Sequence, residues 1–100
     1  MNFTIPSSQE PLQTTLRRAG YAPEGRDQRS GEFAYVRRFT SAHYPRFHLF
    51  VTSVKEDSVI LSIHLDQKRP SYQGTSAHGG EYNGPVIKEE AQRITSIASS

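Results

Sequence analysis

Residues Ser58–Asp66 place Val59, Leu61, Ile63 and Leu65 at every second position. A period of two predicts a β-strand with one face in a core. His64 and Asp66 fall on the opposite face, where the chain runs into a long polar segment. Pro45–Val54 alternates in the same way. Phe47, Leu49 and Val51 share one face, and Arg46, His48, Phe50 and Thr52 share the other. Lys55-Glu56-Asp57 reads as the turn between the two strands. Glu32–Phe39 predicts a strand before this hairpin, with Thr40–Tyr44 as the connecting turn. Its faces are Phe33, Tyr35 and Arg37 against Ala34, Val36 and Arg38, and the pattern leaves open which of them is buried.

Helical spacing appears at both ends of the chain. Leu12, Leu16 and Ala19 share a helical face. Ser7 or Ser8 is the expected cap, with Pro11 in the first turn and Gly20 just past the end. Pro85 opens a final helix with the apolar stripe Val86, Ile87, Ala91, Ile94, Ile97 and Ala98, while Lys88, Glu89 and Arg93 are expected to face water. Residues 1–7 read as an extended arm. Tyr21–Gly31 reads as a loop, and residues 67–84 as a long Gly-rich loop. The expected architecture is a single α+β domain of order α-β-β-β-α, a three-stranded antiparallel sheet with both helices packed on one face.

Pairing parity carries the sharpest expectation. The Phe47 set must join the Leu61 set on the core face, which restricts the register. If the turn centres on Glu56, His48 lies opposite His64 and Arg46 opposite Asp66, with opposed Cβ atoms about 4.5–5.5 Å apart. A tighter register would leave the two histidines as diagonal neighbours.

The chain has 100 residues and no cysteine, so disulfides, thiolate catalysis and Cys-type zinc sites are excluded. Seven Arg against four acidic residues lie in positions 1–50. That asymmetry suits an anionic partner, since Arg binds phosphate and carboxylate in bidentate fashion. No apolar run approaches the length of a membrane span, and no signal segment is apparent, so a cytoplasmic location is expected.

Several chemistries fit the polar face. His48, His64 and Asp66 are candidates for acid–base catalysis. Arg46, Lys68, Tyr72, His78, Glu81 and Tyr82 are candidates for ligand binding. In this reading Arg46, His48 and His64 hold RNA or another phosphate-bearing molecule, and Tyr72 and Tyr82 stack or hydrogen-bond. Gly74, Gly79, Gly80 and Gly84 allow the loop to approach an anion closely. A single-strand-binding face of Tyr35, Arg37, Arg46, His48 and Phe50 would mix aromatics with cations. The alternative is a hydrolase, with Zn²⁺ or Mn²⁺ held by His64, Asp66, His78 and Glu81. A third reading is a protein-interaction module in which the Glu32–Phe39 strand forms an exposed edge and pairs with a second copy.

The segment LRRAGY (Leu16–Tyr21), followed by a Gly-containing loop and a strand hairpin, resembles the start of HicA-type toxins over residues 10–50. These are small mRNA interferases with a double-stranded-RNA-binding-like fold, so the resemblance implies an α-β-β-β-α topology. The family places a catalytic His after a Gly-Ser pair before a strand. Here RSGEF carries Glu32 at that place, so the catalytic assignment does not transfer.

Overall fold

The computed structural model describes residues 1–67 and 84–100, together with the backbone of Gly80 and Glu81. The elements are β1 (Asn2–Pro6), α1 (Leu12–Arg18), β2 (Ala22–Arg26), β3 (Phe33–Arg38), β4 (Arg46–Val54), β5 (Ser58–Asp66), β6 (Gly80–Glu81) and α2 (Pro85–Ser99). The sheet is antiparallel in the order β1-β5-β4-β3-β2, and the two-residue β6 pairs with β5. The α+β class holds, but the three-stranded expectation is corrected: among the described residues the sheet has five main strands, with the two-residue β6 beside β5.

Both added strands lie at the edges, and each has a physical reason for escaping a local reading. The expected arm at residues 1–7 contains β1. Its Phe3 and Ile5 do alternate, but five residues are too few to announce a strand without their partner. They pair with Leu61 and Val59 and extend the core face. The expected loop at Tyr21–Gly31 contains β2, which is exposed along its whole length and carries Pro23 and Gly25. Such residues disfavour strands, and no buried face imposes alternation. The Glu32–Phe39 strand, expected at an edge, lies between β2 and β4.

The strand and helix patterns account for the core. Ile5, Leu16, Leu49, Leu61, Ile63, Ile87 and Ile94 are fully buried between the sheet and the two helices. Each such side chain contributes about 1.5–3 kcal/mol of burial. On α2 the buried stripe is Ile87, Ala91, Ile94 and Ala98, whereas Val86 is exposed. α1 begins later than expected. Pro11 precedes it and no side chain caps it, while the Ser8 hydroxyl accepts from the Glu10 amide at 3.2 Å in the preceding turn. Gly20 follows the helix at φ 95°, a conformation that favours glycine.

The two faces of β3 are now distinguished. Tyr35 pairs with Leu49 and Arg37 with Phe47, so they lie on the helix-covered side. Ala34 and Val36 pair with Phe50 and His48 on the other face, where both are buried.

One polar network crosses the helix-covered side. The Glu90 carboxylate, 5 % exposed, accepts from the Tyr21 hydroxyl at 2.7 Å and from Arg93 Nε at 2.8 Å, with Arg37 at 3.5 Å. Arg93 also donates to the Ala19 carbonyl, which ties α2 to the end of α1. Among the described residues, no helix is long and apolar enough to cross a membrane.

Candidate functional site

β4 and β5 pair in the register that brings His48 opposite His64 and Arg46 opposite Asp66. The cause is a bulge. Val54 pairs with Val59 and Ser53 with Ile60, but the next pair is Val51 with Leu61, so Thr52 is unmatched. Were Thr52 paired in turn, so that the register at the hairpin end ran on unshifted, the ladder would set His48 against Leu65 and place a histidine in the core. The bulge restores parity, so Phe47, Leu49 and Val51 share a face with Val59, Leu61, Ile63 and Leu65.

On the face away from the helices, the polar side chains converge on Asp66. His64 Nε2 lies 2.9 Å from Asp66 Oδ1. His48 Nδ1 and Arg46 Nε lie 3.1 and 3.2 Å from Oδ2. The two imidazole centroids are 5.0 Å apart, and Phe50 stacks on His64 at 5.7 Å. These residues are mostly buried: Arg46, His48 and His64 are each about 15 % exposed at the side chain. Burial raises the Asp66 pKa, but the hydrogen bonds from His48 and His64 outweigh it and hold the carboxyl well below the usual carboxylate range.

Glu24 completes the cluster, and nothing in the chain's periodicity marks it. It occupies an irregularity between Pro23 and Gly25 where β2 slips against β3. From there Glu24 Oε2 reaches Arg46 at 2.9 Å, and Oε1 lies 3.0 Å from His48 Nε2. This last contact is close but lacks the alignment of a hydrogen bond, and His48 Nε2 is buried with no hydrogen-bonding partner among the described residues. The sequence signal for Glu24 is an acid set between Pro and Gly, a composition suited to a bulge.

The structure thus brings His48, His64, Asp66 and Arg46 together, as parity implied. Lys68, Tyr72, His78 and Tyr82 lie outside the described residues. Of Glu81 only the backbone is described; it pairs with Leu65, and Gly80 pairs with Asp66, so the chain returns along the site end of β5. The proposed single-strand-binding face is divided, because Tyr35 and Arg37 lie across the sheet from His48 and Phe50.

The donor set suits a transition metal. One ligand atom each from His48, His64 and Asp66 lies within 4.8 Å of the others. Two imidazoles and a carboxylate suit Zn²⁺, Mn²⁺ or Fe²⁺. Arg46 offers little to an anion here, since Glu24 and Asp66 already neutralise it. Comparison with known protein families, curated proteins and solved structures yields no match.

Proposed function

We propose that this chain is a metal-dependent domain whose centre is formed by His48, His64 and Asp66, with Glu24 beside it. The observation that carries the proposal is the convergence of three donor atoms within 4.8 Å on one sheet face. The His48 and His64 nitrogens already lie 3.1 and 2.9 Å from the Asp66 oxygens, near the spacing of adjacent ligands that share one ion at about 2.0–2.2 Å. An ion would displace the protons through which both imidazoles now reach Asp66.

Three protein ligands leave coordination positions for water. A bound divalent ion supplies an acidified water, the chemistry of metal-assisted hydrolysis. Glu24 is placed to accept a proton beside His48. An anion held by Arg46, His48 and His64 alone, RNA included, has weaker support, because Arg46 is already flanked by two carboxylates.

Calorimetric titration of the purified, chelator-treated protein with Zn²⁺ and Mn²⁺ tests the proposal. One ion per chain is expected, with His64→Ala and Asp66→Asn each weakening it by at least about a hundredfold. Neither a binding signal nor a rise in Tm with either ion would remove the metal centre from consideration.

A further inference from the structure

A cleft of about 380 Å³ opens beside His48 on the same sheet face. Its walls include Glu24 and His48 from the cluster, Phe50 as an aromatic surface, and Arg26, Asp27 and Arg29 from β2 and the turn after it. This volume lies within the range of small-molecule sites.

The charges in and around the cleft are unequally committed. Glu24 is held by Arg46 at 2.9 Å. Asp27 accepts from the Ser30 amide at 2.8 Å and from its hydroxyl at 2.9 Å. Among the described residues, neither Arg26 nor Arg29 has a carboxylate within ion-pair distance, although Arg29 interacts electrostatically with Asp27 at longer range. Arg26 instead rests on the Phe33 ring at 4.6 Å, with its guanidinium edge still available to donate. Counted together, Arg26, Arg29 and Arg46 balance Glu24, Asp27 and Asp66, so the site carries no net charge with both imidazoles neutral. A divalent ion at His48, His64 and Asp66 would make it positive by two and place that charge at one wall of the cleft.

We infer that the metal-loaded site binds a small phosphate monoester, its phosphoryl oxygens shared between the ion and the guanidinium groups of Arg26 and Arg29, and its organic part against Phe50. This rests on the metal centre proposed above and adds its substrate class. Two features favour the phosphate over a carboxylate. A tetrahedral dianion matches a site positive by two, and it offers enough oxygens for an ion and two guanidinium forks at once. The cleft size favours a small molecule over a polymer.

The test uses the full chain with Mn²⁺ and three probes: adenosine monophosphate, inorganic phosphate and adenosine. Mn²⁺-loaded protein is expected to bind both phosphate-bearing probes at least about tenfold more tightly than metal-free protein, and adenosine to bind neither form. Binding of adenosine monophosphate more tightly than inorganic phosphate places the organic part in the cleft. The doubly substituted R26A/R29A protein is expected to keep its Mn²⁺ affinity and lose at least about tenfold in phosphate affinity. Both arginines are exposed and distant from the core, and unchanged Mn²⁺ binding reports an intact fold. Equal phosphate affinity with and without Mn²⁺, or in R26A/R29A, overturns the inference while leaving the metal centre standing. Failure of the wild-type chain to bind Mn²⁺ or Zn²⁺ overturns both.

Discussion

His48 stands directly opposite His64 across β4 and β5, and their ring centroids are 5.0 Å apart, because Thr52 leaves the ladder between them and the turn. The extra residue shifts the pairing by one, so that from the register next to the turn the Phe47 set and the Leu61 set come to lie together against the helices. A local irregularity in an exposed part of β4 therefore reconciles the pairing next to the turn with the pairing at the polar cluster.

Deleting Thr52 tests that relationship. The pairs Val51–Leu61 and Ser53–Ile60 would become consecutive, with every other pairing kept. The deletion is expected to cost no more than about 1 kcal/mol and to leave the two imidazoles adjacent. Proton–proton contacts between the rings by NMR check this. Loss of those contacts in a folded protein would show that the bulge does more than absorb one residue.

Asp66→Asn addresses the centre of the cluster without a metal. The carboxylate accepts from two imidazoles and a guanidinium, and an amide cannot accept them all. A loss of about 1–3 kcal/mol in urea unfolding is expected, the usual range for charged hydrogen bonds in a largely buried site. A neutral outcome would mean that the cluster contributes to function alone.

Glu90 predicts a larger effect from a position that periodicity assigns no role. Replacing it by Ala leaves the Tyr21 hydroxyl buried without its acceptor and releases Arg93 and Arg37. The two arginines are over one-third exposed and rehydrate, which moderates the penalty. A destabilisation of about 2–3 kcal/mol is expected by urea unfolding, with Mn²⁺ affinity unchanged because the network lies on the other side of the sheet. Weakened metal binding in the folded variant would couple the two faces.

The Tyr21–Glu90 contact also gives a pH dependence. Burial, followed by the hydrogen bond to Glu90, pushes the Tyr21 phenol well above its ordinary value. The folded chain therefore keeps this proton to higher pH than the unfolded chain, whose tyrosines ionise near pH 10. The associated stability is complete below about pH 10 and is lost as pH rises further, by up to about 1.4 kcal/mol per unit. Tyr21→Phe removes that component. Urea midpoints measured between pH 8 and 11 should fall more steeply in wild type than in Y21F, and parallel curves would contradict the assignment.

Periodicity alone determined that Val59, Leu61, Ile63 and Leu65 turn one way and His64 and Asp66 the other, and that Phe47 and Leu49 must share the first side. It placed α2 from its stripe and brought the two imidazoles onto one face, opposite the core residues. These are consequences of the period of a pleat or a helix, which a short stretch of chain carries within itself. Only the tertiary structure decided that Asn2–Pro6 and Ala22–Arg26 are strands, that Glu24 meets Arg46 and His48, and that Glu90 is buried under Tyr21. An edge strand is defined by the neighbour it pairs with, and a carboxylate is buried only where partners from distant segments satisfy it. Such relationships exist between parts of the chain that do not meet until it has folded.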